Sequence, residues 1–350
     1  MKKLCSFLLI FSLICVMTAC SSASDTTVAD TSAEEMNISE FVALTDIVEG
    51  QPNIYLIVKI VEDSYWQGVV KGAMDKGKDL GCNVYYGGTD NDTYWEGQQE
   101  LINEAVAAGT DAIVLAPDDS VELVPDIEKL YDEGVPIVLI DTILNTEKFD
   151  VCYMTDNLLA GQHAAAEMIS QLQKNGHSED EELQVGVAVG AVSSQTVNER
   201  LAGFFRYWSV NAPKDWDVVT GLMNCYGTVS YGKQLVEDFL EQYPDVAGIY
   251  ATNGTPTQAV AGVVAMSQRT DIAVVGFDYS DEIKLLIENS EYAASTVLQR
   301  QYDMGAYSIE AVCDLIDGDI MDVKFVDTGV YIVNNSNLDD EAVAEAISRY

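Results

Sequence analysis

Short apolar runs that alternate with segments of helical periodicity dominate the chain from residue 53 onward, and this pattern limits the possible folds more than any other. A short apolar run bounded by polar residues is typical of a buried strand. Several helical segments are followed by a glycine that can end a helix, as at Gly109 and Gly134. Strands that alternate with helices predict an α/β fold with parallel sheets built from βαβ units.

The alternation occurs twice along the chain, with the change near Thr155, Asp156 and Asn157. The predicted strands are 54–60, 83–86, 112–116, 135–140, 184–189, 217–220, 247–251, 272–275, 294–298 and 330–333. The predicted helices are 65–80, 95–108, 121–133, 157–174, 197–209, 229–241, 258–267, 282–288, 304–317 and 339–348. A chain of 350 residues also exceeds the size that one hydrophobic core usually serves. The sequence therefore predicts two similar α/β lobes.

The chain is strongly acidic, because 57 Asp and Glu residues against 18 Lys and Arg give a formal net charge of −39. Nucleic-acid binding depends on Lys and Arg that neutralise phosphates, so this charge argues against a nucleic-acid partner. It also argues against direct adhesion to anionic lipid headgroups. Since repulsion between like charges keeps a protein soluble, we expect a monomer with a solvated surface.

The first residues carry the features of a secretory signal. Lys2 and Lys3 precede an apolar stretch over residues 4–17, which is too short to span a membrane comfortably. A small residue, Ala19, comes directly before Cys20. This arrangement resembles the lipobox of bacterial lipoproteins. The alternative is an ordinary signal peptide with a chance cysteine.

The lipobox resemblance implies that residues 1–19 are a signal peptide and that Cys20 becomes the lipidated N-terminus. Residues 20–52 are rich in Ser, Thr, Asp, Glu and Ala, which predicts a flexible tether between the lipid and the folded part. Regular structure is expected to begin at Asn53. The protein is then expected to be extracytoplasmic and lipid-anchored to the bacterial cell membrane.

The cysteines and histidines beyond the tether form no metal-binding pattern. Cys82, Cys152, Cys225 and Cys313 are far apart, with no Cys-x-x-Cys pair and no nearby histidine to complete a zinc site. Buried free thiols are favoured, and one disulfide stays open for an exported protein. We expect neither a metal ion nor a cofactor.

A series of short motifs follows the tether in a fixed order. The motifs are residues 109–117, residues 134–141, Thr155-Asp156-Asn157 with Gly161, and residues 198–204, 251–253 and 274–278. In this order, behind a lipobox-like segment, they resemble the type I periplasmic sugar-binding proteins, the ribose- and galactose-binding group of ABC-importer receptors. The resemblance runs from about residue 53 to residue 334.

The family resemblance implies two Rossmann-like lobes with parallel sheets and three crossovers between them. The N-terminal lobe would comprise residues 53–155 and 300–328. The C-terminal lobe would comprise residues 156–299 and 329–337, followed by a C-terminal helix within residues 338–350. The solute would lie in the cleft between the lobes, which would close over it by a hinge motion.

The ends of the predicted strands indicate the same location for the site. Asp141, Asn253 and Asp278 each follow an apolar strand, and ligands of open α/β sheets bind beyond the carboxyl ends of the strands. Asp and Asn oxygens accept from sugar hydroxyls, whereas Arg donates through a planar fork. The resemblance implies ligand contacts for a larger set of residues: Tyr65, Trp66, Asp141, Arg200, Asn253, Asp278 and Gln299.

Each of these residues also has a structural interpretation. For Asp141 and Asp278 the alternative is a turn residue or a helix N-cap, because Asp is common in both places. Arg200 would otherwise form a salt bridge on the surface of its helix. Asn253 would otherwise be a turn residue, since it precedes a glycine. Trp66 would otherwise belong to the core.

Two residues of the predicted site depart from the family pattern. Lys59 stands where the family more often has a small polar residue, and Asp63 is the first residue of a pair that replaces Asn-Pro. Lys59 is expected to pair with Asp63 or Asp141, or to contact an anionic group on the ligand. A contact near Tyr226 is expected but cannot be aligned. A plain ribose site is therefore not expected.

The leading hypothesis is a solute-binding lipoprotein that captures a small polar solute, a monosaccharide or related polyol, and delivers it to an ABC permease. The alternative is a sensor that passes its closed state to a membrane kinase or chemoreceptor. A secreted carbohydrate-active enzyme is disfavoured, because the sequence lacks Gly-x-Ser-x-Gly, His-Glu-x-x-His and Walker A motifs. We therefore expect a binding protein and not an enzyme.

Overall fold

A computed structural model of the protein describes residues 36–350. The predicted signal peptide, the proposed lipidation site at Cys20 and residues 20–35 of the predicted tether lie outside the described residues. Within residues 36–350, no helix is long and apolar enough to cross a membrane.

The described residues form two sheets with helices packed on both faces of each. The strands are β1 (Val42–Ala43), β2 (Asn53–Ile60), β3 (Asn83–Thr89), β4 (Ala112–Leu115), β5 (Ile137–Ile140), β6 (Val151–Met154), β7 (Leu183–Val189), β8 (Trp216–Asn224), β9 (Gly248–Ala251), β10 (Ala273–Phe277), β11 (Ala294–Gln299), β12 (Phe325–Asp327) and β13 (Val330–Asn334). The helices are α1 (Ser64–Leu80), α2 (Trp95–Ala107), α3 (Val124–Asp132), α4 (Asn157–Lys174), α5 (Gln195–Asn211), α6 (Val229–Gln242), α7 (Gly254–Ser267), α8 (Asp281–Glu288), α9 (Gln301–Asp317) and α10 (Glu341–Ser348).

The two sheets repeat one topology. The first has the order β1-β3-β2-β4-β5-β6-β12, and the second has the order β13-β11-β10-β9-β7-β8. Six strands of each sheet are connected in the same order, starting from β3 in the first sheet and from β8 in the second. All of them are parallel to their neighbours except β13, which pairs antiparallel with β11. The short strand β1 is also antiparallel, to β3. The predicted α/β fold of two similar lobes is confirmed, with an antiparallel edge strand on each sheet.

Within residues 36–350 the chain passes between the sheets three times, after β6, after β11 and after β12. Two of these passages exchange a helix between the lobes. Helix α4 follows β6 of the first sheet but packs on β10 and β11 of the second. Helix α9 follows β11 of the second sheet but packs on β4, β5 and β6 of the first. The lobes are therefore joined by short crossovers that run directly into core helices.

Each of these two exchanged helices crosses a helix of the lobe that it packs on at very short distance. In the second lobe, a Cβ on Gly161 would overlap the Arg200 carbonyl oxygen, and a Cβ on Gly203 would overlap that of Leu158. The backbones of α4 and α5 therefore touch, which only glycine allows. The same contact joins α1 and α9 in the first lobe, where a Cβ on Gly305 would overlap the Val69 carbonyl oxygen.

The central strands are buried on both faces, which explains their near-continuous apolar sequences. In β2, Leu56 and Val58 pack with Val69 of α1 and Met304 of α9. Ile57, which points to the opposite face, packs with residues of α2 and α3. Apolar burial of this kind is the main stabilising contribution in a fold of this class.

The sequence missed three strands and placed the start of regular structure too late. Val42 of β1 pairs with Tyr86 of β3, and Ile38 forms a bridge with Thr89. The Phe41 ring packs edge-on against Tyr55, with centroids 4.8 Å apart. The expected flexible tether of residues 20–52 is therefore too long, because its last part covers the outer edge of β3.

The strands β6 and β12 were missed for different reasons. β12 has three residues and is largely exposed, so it leaves no apolar run, whereas β6 is a buried apolar run of four residues, like β4 and β5, that was overlooked. The described cysteines are free thiols, and Cys82, Cys152 and Cys225 are buried while Cys313 is half-buried.

Candidate functional site

A cleft of about 370 Å³ lies where the carboxyl ends of strands from both sheets face each other. All nine residues predicted for the site line this one cavity: Lys59, Asp63, Tyr65, Trp66, Asp141, Arg200, Asn253, Asp278 and Gln299. They come from both lobes, because the carboxyl edges of the two parallel sheets meet here. Their contact with a ligand stays a prediction.

Asp141 is the most fully engaged of the cleft carboxylates. Its Oδ2 accepts from Lys59 Nζ at 3.0 Å and from Thr142 Oγ1 at 2.7 Å, and its Oδ1 accepts from Tyr65 Oη at 2.9 Å. Burial acts to raise the pKa of Asp141, but the Lys59 charge and the hydrogen bonds from Thr142 and Lys59 lower it below its ordinary value. Asp141 therefore stays ionised in the cleft.

Lys59 is held as the counter-ion of Asp141. Besides the ion pair, its Nζ donates to Thr142 Oγ1 at 2.8 Å and lies 5.9 Å from the centre of the Trp66 ring. Burial acts to lower the pKa of Lys59, but the carboxylates of Asp141 and Asp118 raise it above its ordinary value. Of the partners expected for Lys59, the structure selects Asp141.

Asp118 is a further carboxylate near Lys59 that the sequence analysis did not single out. It follows β4, and both of its oxygens are buried without a hydrogen-bond partner in the described residues. Burial raises the pKa of Asp118 to about 8, against the opposing effect of the Lys59 charge. It does not line the cleft, but it adds to the acidic surroundings of Lys59.

Arg200 is buried, with only 3% of its surface exposed, and does not form the surface salt bridge that was the alternative. Its Nε donates to Asn157 Oδ1 at 2.8 Å, its Nη1 to the Thr252 carbonyl at 2.9 Å and its Nη2 to Gln299 Oε1 at 2.9 Å. The guanidinium also lies 4.1 Å from the centre of the Phe277 ring. Arg200 is thus a fixed donor at the base of the cleft, with N–H groups left on its terminal nitrogens.

Gln299 connects Arg200 to the second strand-end carboxylate. Its Oε1 also accepts from Thr155 Oγ1 at 2.8 Å, and its Nε2 donates to Asp278 Oδ1 at 2.8 Å. Thr155 and Gln299 lie at two of the crossovers. The network therefore joins the hinge region to the floor of the cleft.

Asp278 accepts fewer hydrogen bonds of ordinary geometry from the described residues than Asp141 does, so its carboxylate can accept more from a solute. Burial raises the pKa of Asp278 above its ordinary value, although the Arg200 charge and the contacts with Gln299 and Tyr350 act in the opposite direction. Neither Asp141 nor Asp278 caps a helix, since the next helix after Asp141 is α4, which Asp156 caps, and the cap of α8 is Ser280. The alternative of a helix N-cap is therefore wrong for both residues.

Asn253 and Asp63 both precede helices but differ in what they contribute. The Asn253 side chain makes no capping bond to α7, and its Oδ1 accepts from Thr252 Oγ1 at 3.0 Å. Asp63 does cap α1, since its Oδ1 accepts from the Tyr65 amide at 2.9 Å. Burial is the main cause that raises the pKa of Asp63, and the charge of Asp278 adds to it. Each side chain keeps a polar atom that is available to a solute.

Tyr65 and Trp66 form an aromatic wall of the cleft. Their rings meet edge to face with centroids 4.9 Å apart, and both are more than nine-tenths buried. They belong to the core of the first lobe and line the cleft as well, so for Trp66 both interpretations hold. An aromatic face of this kind suits the C–H surface of a sugar ring.

Other cleft residues were missed by the sequence analysis. Asp92 and Thr93 come from the loop after β3, and Tyr350 comes from the residues that follow α10. Tyr226, near which a contact was expected, also lines the cleft, with left-handed backbone at φ 48° and 69% exposure. A strand-end position could have indicated Asp92. No sequence signal points to Tyr350, because its place depends on how α10 packs.

No group of three or more His, Cys, Asp or Glu residues is arranged to hold a metal ion within the described residues.

Comparisons with known proteins place the chain among proteins of one kind. The sequence profile of a family described as "Periplasmic binding protein domain" matches residues 54–320. The D-ribose/D-allose-binding protein of Pseudomonas aeruginosa is 24% identical over 276 residues, which is 77% of this chain and 83% of that protein. The ribose import binding protein of Bacillus subtilis is 26% identical over 265 residues, or 76% of this chain and 82% of that protein.

Among solved structures, a carbohydrate transporter solute-binding protein from Agrobacterium radiobacter, in complex with D-arabinose, superposes with a TM-score of 0.78. It is 27% identical and covers 86% of this chain and 100% of its own.

Proposed function

This chain belongs to the periplasmic binding protein domain family, in its type I sugar-binding group, and we propose from that premise that it is an extracytoplasmic solute-binding protein. It captures a monosaccharide or related polyol in the cleft and delivers it to an ABC importer. It is a binding protein and catalyses no reaction. The relatives with names that specify ribose, allose and arabinose support the sugar class.

The observation that carries this proposal is the composition of the cleft wall. Strand-end carboxylates from both lobes, the fixed Arg200 donor and the aromatic pair Tyr65 and Trp66 surround one cavity. Carboxylates and an Arg offer paired acceptors and donors to vicinal hydroxyls, and the rings cover the apolar face of a sugar. Such a cavity of about 370 Å³ fits a monosaccharide.

The charges of the cleft favour a solute without a net negative charge. Lys59 is neutralised by Asp141, and each nitrogen of Arg200 has a protein acceptor. Asp63 and Asp278 have no opposing cation in an ion pair among the described residues. Since like charges in a partly buried cleft repel, a sugar acid is disfavoured relative to a neutral sugar.

The two-lobed site supports a hinge mechanism. A solute that contacts both Asp141 in the first lobe and Asp278 in the second gains its full set of bonds only when the lobes are close together. Binding then shifts the population toward the closed state in proportion to the difference in affinity. The closed state is what an ABC permease would recognise. The alternative is that the same state is read by a membrane kinase or chemoreceptor.

The lobes are proposed to have the boundaries given by the family resemblance, 53–155 with 300–328 and 156–299 with 329–337. Strand membership supports this division, because β12 joins the first sheet and β13 the second. Residues 338–350 are proposed as an added helical segment. The protein is proposed to be a monomer that is lipidated on Cys20 after removal of residues 1–19.

The experiment that tests solute binding is a thermal-shift panel on the detergent-solubilised full chain. The panel contains D-ribose, D-allose, D-arabinose and D-fucose, with ribitol, D-gluconate and a nucleoside for contrast. A ligand at about a thousand times its Kd stabilises the fold by roughly 4 kcal/mol. A hit among the neutral sugars that is lost in Asp278→Ala supports the proposal. Silence for all sugars and polyols, or a hit for gluconate alone, contradicts it.

The role and the anchor need separate tests. Gene neighbours that encode a permease and an ATPase favour transport, whereas a neighbouring histidine kinase favours sensing. Incorporation of labelled palmitate into the wild type, and its absence in Cys20→Ser, tests the lipid anchor. Labelling that survives the Cys20→Ser exchange would exclude Cys20 as the anchor site.

A further inference from the structure

Helix α10 and the residues after it connect the two lobes. Val343, Ala346 and Ile347 pack into the apolar core of the second lobe. Immediately beyond the helix, the Arg349 guanidinium stacks on the Tyr302 ring of α9 at 4.1 Å from its centre. Because α9 packs on the first sheet, this stretch is attached to both lobes at once.

Tyr350 enters the solute cleft from this segment. Its ring meets Tyr279 of the second lobe with centroids 6.4 Å apart and also packs against the core of the first lobe. Its side chain lines the same cavity as Asp278. Tyr350 is therefore a cleft residue that both lobes hold in place.

The Tyr350 hydroxyl is buried and has no hydrogen-bond partner of ordinary geometry among the described residues. It nevertheless makes a hydrogen-bonding contact of irregular geometry with Asp278, and burial together with the charge of Asp278 and this contact raises the pKa of Tyr350 well above its ordinary value. The phenol is therefore a proton donor at all physiological pH values. Buried donors in folded proteins almost always have a well-placed acceptor, so a hydroxyl with Asp278 only outside ordinary hydrogen-bond geometry can accommodate a further partner.

Asp278 and Tyr350 together offer what one hydroxyl group needs. The Asp278 side chain makes one hydrogen bond of ordinary geometry within residues 36–350, from Gln299 to Oδ1. Its other oxygen can accept a proton from a solute hydroxyl, and the Tyr350 phenol can donate to the oxygen of that same hydroxyl. This arrangement satisfies both groups in a single contact.

We propose that Tyr350 is a specificity-determining residue that donates a hydrogen bond to the solute hydroxyl bound by Asp278, and that α10 carries it there across the hinge. This inference rests on the proposed function, since it names a contact within the proposed sugar site. A solute that lacks a hydroxyl at this position leaves a buried donor and a buried carboxylate without partners and is rejected.

The matched variants are Tyr350→Phe and Tyr250→Phe in the full chain. Tyr250 is also a buried tyrosine with a hydroxyl that lacks a partner, but it lies in the core of the second lobe and does not line the cleft. Both exchanges remove one unsatisfied hydroxyl and keep the ring. We expect both to leave the melting temperature of the solute-free protein unchanged or higher.

Binding is measured by isothermal titration with D-ribose, D-allose, D-arabinose and D-fucose, and then with the monodeoxy forms of each sugar that binds. Loss of one hydrogen bond weakens binding about tenfold, which corresponds to roughly 1.4 kcal/mol. We expect this loss in Tyr350→Phe and less than a twofold change in Tyr250→Phe. Removal of one particular sugar hydroxyl should weaken binding to the wild type but weaken binding to Tyr350→Phe much less. That difference identifies the hydroxyl that Tyr350 contacts.

Each other outcome overturns the inference. If the wild type binds none of the sugars, the proposed function fails and this inference fails with it. If the wild type binds but Tyr350→Phe retains its affinity, the inference alone fails. If Tyr350→Phe melts earlier and is weakened equally for every deoxy sugar, the hydroxyl has a structural role and makes no solute contact.

Discussion

Asp141 and Asp278 occupy equivalent positions in the two lobes. Each is the first residue after the corresponding strand of its sheet, β5 and β10, and each has left-handed backbone, with φ of 63° and 64°. Residues other than glycine rarely adopt this conformation, which costs roughly 1–2 kcal/mol. Strain of this kind persists where function requires it. The backbone turn directs a carboxylate from each sheet edge into the cleft.

This strain predicts opposite effects on stability and binding when Asp278 becomes glycine. We expect Asp278→Gly to stabilise the solute-free fold by about 1 kcal/mol, because glycine tolerates the left-handed backbone. Loss of the buried carboxylate adds to this gain, since burial disfavours the ionised form. Sugar binding should fall by about a hundredfold, because charged hydrogen bonds contribute roughly 1.5–3 kcal/mol.

Urea unfolding and titration calorimetry measure the two effects. Asp278→Asn is the control, because Asn also tolerates left-handed backbone and keeps the side-chain volume. It should lose binding without the full gain in stability. A lower stability for Asp278→Gly would show that the residue supports the fold.

The ion pair between Lys59 and Asp141 predicts a strong dependence on both partners. Both side chains are largely buried, at 16% and 11% exposure. Lys59→Met leaves a buried carboxylate without its cation and should destabilise the fold by about 3–5 kcal/mol. The double variant Lys59→Met/Asp141→Asn should regain most of that loss. Chemical unfolding measures both.

The surface pair of Lys76 and Glu310, at 3.2 Å, provides the comparison. Lys76→Met should change stability by less than about 1 kcal/mol, because exposed ion pairs contribute little. Equal effects of the two Lys→Met exchanges would mean that burial of the cleft pair has no energetic consequence.

The carboxyl group of Asp118 predicts a pH-dependent loss of stability. Its pKa is raised to about 8 in the fold from an ordinary value of 3.8, so the folded state binds the proton more tightly than the unfolded state. Stability from this group is then complete below the unfolded pKa and is lost as the pH rises through the folded pKa. Asp118→Asn should therefore stabilise the protein at pH 8 and have little effect at pH 4.

Urea unfolding at several pH values between these limits tests this prediction. Asp319→Asn, which alters an exposed carboxyl group, should leave the pH profile unchanged. A constant difference between Asp118→Asn and the wild type at every pH would exclude titration of Asp118 as the cause.

The close crossing of α4 and α5 predicts that Gly203 tolerates no side chain. A Cβ there would overlap the backbone of Leu158, which cannot move as a flexible side chain would. Gly203→Ala should destabilise the fold by about 1–3 kcal/mol through overpacking. It should also weaken sugar binding, because Arg200 lies on the same helix, one turn away.

Gly221→Ala is the matched exchange, since a Cβ at Gly221 would meet nothing within 4 Å. Thermal unfolding of both variants provides the comparison. If Gly203→Ala and Gly221→Ala behave alike, the two helices can separate without loss.

The regular parts of the fold could be predicted because their signals are local. The predicted helix 157–174 coincides with α4, and its first residues follow a capping residue, Asp156, that accepts from the Leu159 amide. Short or exposed strands such as β12 give no such signal. The strand β1 could not be predicted, because its pairing with β3 depends on chain folding rather than on its own two residues.

The candidate site was predictable where chain order decides position. Asp141, Asn253 and Asp278 follow parallel strands, and such strand ends meet at one edge of each sheet. Whether these residues bind a solute stays a prediction. The ion pair of Lys59 with Asp141 joins residues 82 positions apart, and the sequence left more than one partner open.

The sequence by itself determined the alternation of strands and helices, the duplication of the lobes and the polar residues at the strand ends. Backbone periodicity and strand order fix these features, and both are written along the chain. Only the tertiary structure decided that Lys59 neutralises Asp141, that Arg200 is buried and that Tyr350 reaches the cleft. The first contact depends on the positions of β2 and β5 in one sheet, and the other two on how α5 and α10 pack against distant elements. Long-range packing leaves no periodic trace in the sequence.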